Sequence, residues 1–429
     1  MKLTLDEERM LAGKCGAGLQ RAMELLVAVG EAYDAPHMVD VSCSHILSPE
    51  LQFWTVGKLS QWARELTAES VEDAQTFKVP VTINPIFLDP LVASRLDYPD
   101  AYLQELRETL SFGRQTYSNL GVIPTYTCCP FYCHLVRRGE RVGTAESTVI
   151  IFDNSVIGAT ANRESGPTAL ATALTGKTPL YGMHLPENRR GQAVVKLKDN
   201  VDSRFFSYAD YNALSYYTGK AVVDGIPVFE GLPENTTVAQ LKYLAAPLGV
   251  SAGIAMFHAV GITPEAPTTE VALGGKKPQI VVEVGRQELD ATYADLCSAT
   301  SDRVDYVLLG CPHVTIPEMQ EIASLLDGRP ISPGLLFIVG IAEPLRVLAA
   351  EMGLTRVIEE AGGIVMPGMC AAGTFLRRNV PDGFTVGVTA TNSAKAAHYL
   401  KAAGRDVWFG SMRQCIEAAV SRNWEGSQQ

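Results

Sequence analysis

The regular alternation of strand and helix patterns from residue 252 onward is the feature that most limits how this chain can fold. Short apolar runs of strand length recur at 279–284, 304–309, 335–339, 364–366, 384–388 and 407–409, with helical patterns between them. Strands that alternate with helices form parallel sheets covered by helices. The pattern therefore predicts an α/β protein, and 429 residues with 47% hydrophobic content suffice for several such lobes.

The first half of the chain carries the same elements in a less regular order. Thr4 and Glu7 form a capping box, and the apolar repeat after them predicts one long amphipathic opening helix. Gly13, Gly16 and Gly18 lie within it, but no strand precedes them, so a dinucleotide-binding loop is not expected. Further strands are predicted at 38–41, 79–83, 149–152 and 226–229, and helices from 48 onward and over 100–119.

The charge balance restricts the partners of the chain. A net charge of −11 and the lack of a basic block argue against nucleic-acid binding. Acidic residues follow Met1 where a signal peptide has its apolar core, and no apolar run is long enough to cross a membrane. We therefore expect a cytoplasmic protein without membrane contact, whose reduced cysteines serve metal binding or catalysis rather than disulfides.

A thiol-rich run at 125–134 is the strongest local signal of chemistry. Neighbouring side chains of a strand point to opposite faces, so Cys128 and Cys129 are not both core residues of one strand. Pro130 keeps the segment out of a helix, and Cys133 and His134 follow it. The run predicts a loop that presents a thiol to another cysteine, to zinc, to an iron centre or to a substrate.

Two further cysteines, Cys311 and Cys370, directly follow predicted strands, and Cys128 precedes one. Ligands of parallel α/β sheets gather beyond the carboxyl ends of strands. The chain has no close C-x-x-C pair of the kind that a zinc ribbon needs. Three thiolates from three loops suit an iron–sulfur cluster that leaves one iron open for substrate. The cysteines within helical patterns are expected to be packing residues: Cys15, Cys297 and Cys415.

Polar side chains also gather around predicted strand ends. His45 and His313 follow strands in polar company, whereas His258 interrupts an apolar segment and is expected in the core. Glu146 precedes the apolar run at 149–152, and three polar residues, 153–155, follow that run. Because packing alone does not need so many polar groups around one buried strand, the pattern indicates a binding or catalytic site.

Five stretches together resemble the large subunit of the aconitase X family, a divergent branch of the aconitase superfamily. They are ESTVIIFDNSVIGATANR at 146–163, ALSYYTG at 213–219, FHAVGITPE at 257–265, LGCPH at 309–313 and TNSAK at 391–395. They run along nearly the whole chain in the order of the family. The resemblance implies an aconitase-like α/β fold with parallel lobes around a central cleft, over 1–140, 141–275 and 276–424, and a loose tail at 425–429.

The resemblance also implies a function and a site. Members of the family are hydro-lyases in which an open iron acts as a Lewis acid on a hydroxyl or carboxylate. Their cluster-binding cysteines fall on Cys128, Cys311 and Cys370, with a [4Fe-4S] cluster, a [2Fe-2S] cluster or a single iron as alternatives. By motif position, His45 is the expected general acid, and Glu146 is expected to orient a ligand or bind a substrate ammonium group. The substrate-binding residues carried over in the same way are Ser44, Asn154, Ser155, Arg163, Asn392, Ser393 and Lys395.

The family pairs this large part with a small swivelling, β-rich part, which this chain is expected to lack. We therefore expect a small partner subunit, which in the wider superfamily supplies a serine base and a substrate-binding arginine. Bacterial members dehydrate cis-3-hydroxy-L-proline and archaeal members a phosphorylated mevalonate. We expect the hydroxyproline here, with mevalonate 5-phosphate or another hydroxy acid as the alternative. The chain departs from the family at Cys43, around Cys370, and in its additional thiols Cys129 and Cys133.

Three other classes of protein remain open on the residues alone. A thiol-nucleophile enzyme would use Cys128 or Cys129 with a histidine base, and alkylation would inactivate it without loss of iron. A non-enzymatic iron–sulfur redox sensor would need no polar pocket and would show no turnover. A plain α/β binding protein would contain no metal.

Overall fold

A computed structural model of the chain describes residues 1–48, 58–133, 136–376 and 380–425. The helices are α1 Leu5–Leu11, α2 Ala17–Ala32, α3 Lys58–Glu72, α4 Pro90–Arg95, α5 Asp100–Asn119, α6 Ser147–Phe152, α7 Gly166–Thr175, α8 Tyr208–Val222, α9 Val238–Ser251, α10 Thr269–Ala272, α11 Arg286–Leu296, α12 Ile316–Leu326, α13 Leu345–Glu351, α14 Leu354–Glu360, α15 Ala394–Ala402 and α16 Met412–Ser421. The strands are β1 Met38–Asp40, β2 Cys43–Ile46, β3 Val81–Ile83, β4 Val142–Thr144, β5 Lys177–Pro179, β6 Ala193–Leu197, β7 Pro227–Glu230, β8 His258–Ala259, β9 Ile280–Val284, β10 Tyr306–Val314, β11 Leu336–Ile341, β12 Ile364–Pro367, β13 Thr389–Thr391 and β14 Val407–Phe409.

Three parallel sheets carry the fold, so the prediction of an α/β protein with several parallel lobes is confirmed. Their strand orders are β3-β2-β4, β8-β7-β6-β9 and β12-β11-β10-β13-β14. A fourth, two-stranded sheet pairs β1 with β5 in antiparallel orientation. Among the residues that the structure describes, we find no helix with the length and apolar character that crossing a membrane requires.

Helix α9 lies at the centre of the packing between these sheets. It contacts α8, α6, α15 and strand β10, and its residues from Ala239 to Gly249, apart from Gln240, are buried. A helix that is apolar on all sides belongs inside a protein. The lysine that it carries, Lys242, is therefore held away from water, with no exposed side-chain surface.

The opening segment forms two helices, so the prediction of one long helix is wrong. The capping box of Thr4 and Glu7 begins α1 as predicted. Gly13 then adopts φ +73° and Gly16 φ +102°, which ends α1 and re-aims the chain into α2. These left-handed values are readily available to glycine and strained for other residues.

The segment at 149–152 is a helix, so the predicted strand there is also wrong. The carboxylate of Glu146 accepts a hydrogen bond from the Thr148 N–H and caps α6, and the chain continues in a π-helix over Asp153–Ile157. A short apolar run is compatible with a buried helix as well as with a buried strand, and periodicity alone does not separate them. Here the helical alternative is realised, with the Glu146 cap at its start and all four residues buried against α9 and its surroundings.

Three other boundaries differ from the predictions. Cys311 and His313 were expected to follow a strand that ends at 309, but β10 runs to Val314 and contains both. Ser44 and His45 do not follow a strand but lie inside β2, the central strand of its sheet. The predicted strand at 384–388 is a loop that precedes β13, and at its end the Val388 N–H donates to the Asp305 carboxylate. Three further predictions fall outside the described residues: the start of the helix near 48–50, His134 and the tail beyond 425.

Candidate active site

The structure brings together the three cysteines that the sequence singled out, here called the thiol cluster (Cys128, Cys311 and Cys370). Cys128 lies on the loop after α5, Cys311 in β10 and Cys370 just after β12. The thiols of Cys311 and Cys370 are hydrogen-bonded to each other. That contact, burial and the nearby Cys311 and Cys128 thiols raise the pKa of Cys370. Three distant segments of the chain therefore meet at one buried point.

The surroundings of Cys311 favour a thiolate. The hydrogen bond from Cys370 lowers the pKa of Cys311 against the opposing effect of burial, and the Lys395 ammonium and the Ser393 hydroxyl lower it further. Ser393 also caps α15, since its Oγ accepts from the Ala396 N–H at 3.0 Å. The helix start thus places Ser393 and Lys395 beside the thiol cluster.

A buried ion pair of Glu146 and Lys395 borders the thiol cluster. Lys395 Nζ lies 2.5 Å from Glu146 Oε1 and also donates to Ser147 Oγ and Thr148 Oγ1. Burial alone would raise the pKa of Glu146, but the Lys395 charge and its hydrogen bond outweigh burial and bring that pKa down to about 2. Both groups are therefore charged at neutral pH, in a site nearly closed to water.

His45 joins this ion pair through Asn84. The amide nitrogen of Asn84 donates to Glu146 Oε2 at 3.3 Å, which leaves its Oδ1 to accept from His45 Nε2 at 3.2 Å. The other ring nitrogen, Nδ1, lies 2.8 Å from Thr82 Oγ1. His45 and Glu146 thus belong to one hydrogen-bonded chain, and both His45 ring nitrogens are occupied by protein groups. Sequence reasoning did not assign Asn84, although its place at the end of β3 was a usable signal.

The other predicted substrate-binding residues have structural contacts in this chain. The Asn154 side-chain nitrogen donates to the carbonyls of Ala161 and Ala255. Its Oδ1 accepts from the Ala161 N–H and from the Arg189 guanidinium. Ser44 Oγ donates to main-chain carbonyls, and Ser155 Oγ accepts from the Phe257 N–H. Their roles in substrate binding remain predictions.

The last two predicted substrate-binding residues, Arg163 and Asn392, differ in their contacts. The Arg163 guanidinium donates to three main-chain carbonyls and lines a groove with Tyr33 and Tyr181, in which no residue of the thiol cluster takes part. Asn392 precedes Ser393, and its buried Oδ1 has no hydrogen-bond partner among the described residues. An unsatisfied buried acceptor beside the site suits a bound ligand or water.

The donor set is compatible with a thiolate-bound iron–sulfur group. Within the described ranges, no three His, Cys, Asp or Glu side chains converge as the ligands of one metal ion would. The ligands of a single ion all lie about 2.0–2.6 Å from it, whereas cysteines around a cluster bind separate irons. Three thiols from separate segments, two of them buried and Cys370 partly buried, with a nearby ammonium that favours thiolate at Cys311, match the second arrangement in number and chemistry.

The contacts of Cys129 weigh against a thiol nucleophile. Burial, its hydrogen bond to Cys128 and the charge of that thiol raise the pKa of Cys129 well above the ordinary value, so it stays protonated. Its Sγ donates to the His313 carbonyl at 3.9 Å. The His313 ring contacts Thr127 and Met369 instead of either thiol. The His313 ring is therefore not placed as a base for Cys128 or Cys129.

Comparisons with known proteins place the chain in a family. Family models match at residues 1–187 (aconitase X first domain), 191–294 (second domain) and 304–421 (third domain). The chain is 34% identical over 423 residues to the phosphomevalonate dehydratase large subunit of Thermococcus kodakarensis, covering 98% of this chain and 100% of that protein. It is 30% identical to the cis-3-hydroxy-L-proline dehydratase of Pseudomonas aeruginosa, covering 98% of this chain and 70% of that protein.

A solved structure shows the same fold. The holo-form crystal structure of Thermococcus kodakaraensis aconitase X matches with a TM-score of 0.84 and 31% identity, over 98% of this chain and 100% of that one. The fold and the relatives define an enzyme of the hydro-lyase class, a dehydratase. The chain belongs to the aconitase X family, and its resemblance to that family is confirmed.

Proposed function

We propose that this dehydratase removes water from a small hydroxy acid, with an iron–sulfur cluster held by Cys128, Cys311 and Cys370. The observation that carries the proposal is the meeting of these three thiols beside the buried Glu146–Lys395 ion pair. A cluster bound there would supply a Lewis acid, which stabilises the departing hydroxide. The cysteines would hold it as thiolates, a state that Lys395 favours at Cys311.

The protein's own residues would bind and orient the substrate. Lys395 offers an ammonium to a carboxylate, and Glu146 offers a carboxylate to a cation, in a site where hydrogen bonds between charged groups are strong. Asn84 and His45 hold Glu146 in place through two hydrogen bonds in series. The Asn84 amide that links them orients both groups and does not relay protons, so His45 acts as an acid only by direct contact with the substrate. Direct contact of its Nε2 with a leaving hydroxyl requires Asn84 to move.

The ion pair favours cis-3-hydroxy-L-proline as the substrate. A zwitterionic amino acid that opens the pair gives Glu146 a ring ammonium and Lys395 a carboxylate, so neither buried charge loses its partner. Mevalonate 5-phosphate is the second candidate, favoured by the full-length match to large subunits that carry that activity in their name. It brings only anionic groups, and in the described part of the site Lys395 and Lys242 already face carboxylates.

A small partner subunit and a cytoplasmic location complete the proposal. The archaeal relatives are named large subunits, and the bacterial relative is longer than this chain, which spans 70% of it. Both facts are consistent with a further part that acts with this one. The general base would then lie on the partner.

The first experiment tests the cluster. Cys311→Ser, purified without oxygen, should lose iron, sulfide and activity together. The matched control is Cys415→Ser in α16, where a buried thiol packs in the core away from the thiol cluster, and it should keep its iron. An active Cys311→Ser protein without iron would contradict the cluster assignment.

The second experiment tests the substrate. The chain is combined with its candidate small subunit and assayed with cis-3-hydroxy-L-proline and with mevalonate 5-phosphate. We expect turnover of the amino acid, and a higher KM for it in Glu146→Gln. Turnover of the phosphate ester alone would reject the amino-acid substrate while keeping the dehydratase class. Iron without turnover of either compound would keep the dehydratase class and indicate another hydroxy acid as the substrate.

A further inference from the structure

His313 contacts all three segments that carry the thiol cluster. Its ring Nε2 lies 2.8 Å from the carbonyl of Met369, the residue before Cys370. Its ring Nδ1 lies 3.1 Å from Thr127 Oγ1, one residue before Cys128. Its main-chain N–H donates to Cys128 Sγ at 3.3 Å, and the residue itself stands two positions after Cys311.

The hydrogen-bond roles in this arrangement are determined by the partners. The Met369 carbonyl only accepts, so His313 Nε2 carries the proton. The other ring nitrogen, Nδ1, pairs with the Thr127 hydroxyl at 3.1 Å. Thr127 Oγ1 in turn accepts from the Cys129 N–H at 3.0 Å. Both ring nitrogens are therefore committed, and the ring is neither a metal ligand nor a proton donor to substrate.

A buried ion pair holds the main chain of the same residue. The His313 carbonyl accepts from Lys242 Nζ at 2.9 Å, and Lys242 also pairs with Glu318 at 2.7 Å. Both side chains of this pair are 0% exposed. Glu318 further accepts from the Thr315 N–H, its hydroxyl and the Tyr243 hydroxyl. Burying two charges adds little net stability, so the expected role of this pair is to hold the main chain of His313 in place.

The main chain of Gly340, which carries no side chain, lies next to the His313 ring. A Cβ on Gly340 of β11 would lie 2.9 Å from the Met369 oxygen and 3.4 Å from His313 Cδ2. Contacts below about 3.0 Å force a neighbour to move, and here that neighbour is backbone. Glycine at 340 thus leaves the space in which the hydrogen bond between His313 and Met369 forms.

We propose that His313 is a positioning residue that sets the relative placement of Cys128, Cys311 and Cys370, with Lys242 and Glu318 fixing its main chain. The use of that placement, binding an iron–sulfur cluster, rests on the proposed function. The placement itself does not, because it concerns contacts within the metal-free chain.

Two substitutions separate the two ring contacts. The amide of Asn reaches the position of the ring Nδ1, and the amide of Gln reaches that of Nε2. His313→Gln should therefore keep the Met369 contact and lose Thr127, whereas His313→Asn should keep Thr127 and lose Met369. Thr127→Val, which removes only the hydroxyl, serves as a second way to break the Thr127 contact if the histidine variants fold poorly.

The measurement is the alkylation rate of each cysteine in the reduced, metal-free chain, followed by mass spectrometry of its peptides. His313→Gln and Thr127→Val should speed alkylation of Cys128 about fivefold, the scale of one lost hydrogen bond, and leave Cys370 unchanged. His313→Asn should do the reverse. Cys415 in α16 reports global loosening and should stay protected in all three variants. Iron bound after reconstitution should fall in each variant.

The outcomes distinguish this inference from the proposed function. Unchanged rates, or equal acceleration of all cysteines including Cys415, would overturn the inference. A wild-type chain that takes up no iron would overturn the cluster while the selective alkylation pattern upheld the role of His313. A variant that binds iron as fully as the wild type, with wild-type alkylation, would overturn the role of His313 alone.

Discussion

At the scale of single residues, the burial of the charged pair Glu146 and Lys395 determines which substitutions the site tolerates. Their side chains are only 13% and 10% exposed, so removing one partner leaves the other charge buried. Lys395→Met should lower the free energy of unfolding by about 3 kcal/mol and abolish activity. Urea denaturation checks the first effect.

The double variant Lys395→Met/Glu146→Gln is the control for that prediction. It removes both charges and should recover most of the lost stability but no activity. The wild-type pair also has a pH signature. Because folding brings the pKa of Glu146 from 4.5 to about 2, its contribution is complete above pH 4.5 and is lost as the pH falls towards 2. A double variant as unstable as the single one would contradict the account.

Asp153 shows the opposite linkage. It is buried at the start of the π-helix, its Oδ1 has no partner among the described residues, and burial raises its pKa from 3.8 to about 8. Between these values the unfolded chain binds fewer protons, so the wild type loses stability as the pH rises. Asp153→Asn should nearly match the wild type near pH 4 and exceed it by about 5 kcal/mol near pH 8, since each pKa unit is worth about 1.4 kcal/mol. Parallel stability curves for the two proteins would reject the raised pKa.

At the scale of elements, strand β10 depends on a glycine at its bulge. Gly310 has φ +94°, and a Cβ there would lie 2.2 Å from the Gly340 oxygen. Gly310→Ala should therefore destabilise the fold and displace Cys311 and His313, which follow it. Gly328→Ala is the matched control, since φ is +72° there but nothing lies within 4 Å. The control should lose about 1 kcal/mol for backbone strain alone, and chemical denaturation of both variants should show a larger loss for Gly310→Ala.

The elements also show what sequence could predict. The parallel strands of the last lobe were found because buried strands alternate with amphipathic helices, and Cys311 and Cys370 were placed by that alternation. The helix at Ser147–Phe152 was missed because its apolar run has no helical period. The contacts of Asn84, Lys242 and His313 were not predictable, since they join segments far apart in the chain. A lysine inside the apolar pattern of α9 was the one available signal for the buried pair.

At the scale of the whole molecule, binding at the thiol cluster should stabilise several parts of the fold together. A group bound by the folded chain and not by the unfolded one adds about 2.7 kcal/mol at a hundredfold excess over its dissociation constant. Loading iron and sulfide should therefore raise the melting temperature, and a chelator should reverse the rise. Calorimetry of loaded, chelated and Cys311→Ser proteins checks this. If the loaded and the chelated wild type had the same melting temperature, binding at the thiol cluster would not stabilise the fold.

The contact between the His313 N–H and Cys128 Sγ joins residues 185 positions apart, and that between Lys395 and Glu146 joins residues 249 positions apart. During synthesis, Cys128 leaves the ribosome long before Cys370 and Lys395 exist. The first thiol therefore emerges well before the other two segments are present. Whatever group the three thiols hold together can bind all of them only after Cys370 has left the ribosome, so delivery of such a group would follow synthesis of all three segments.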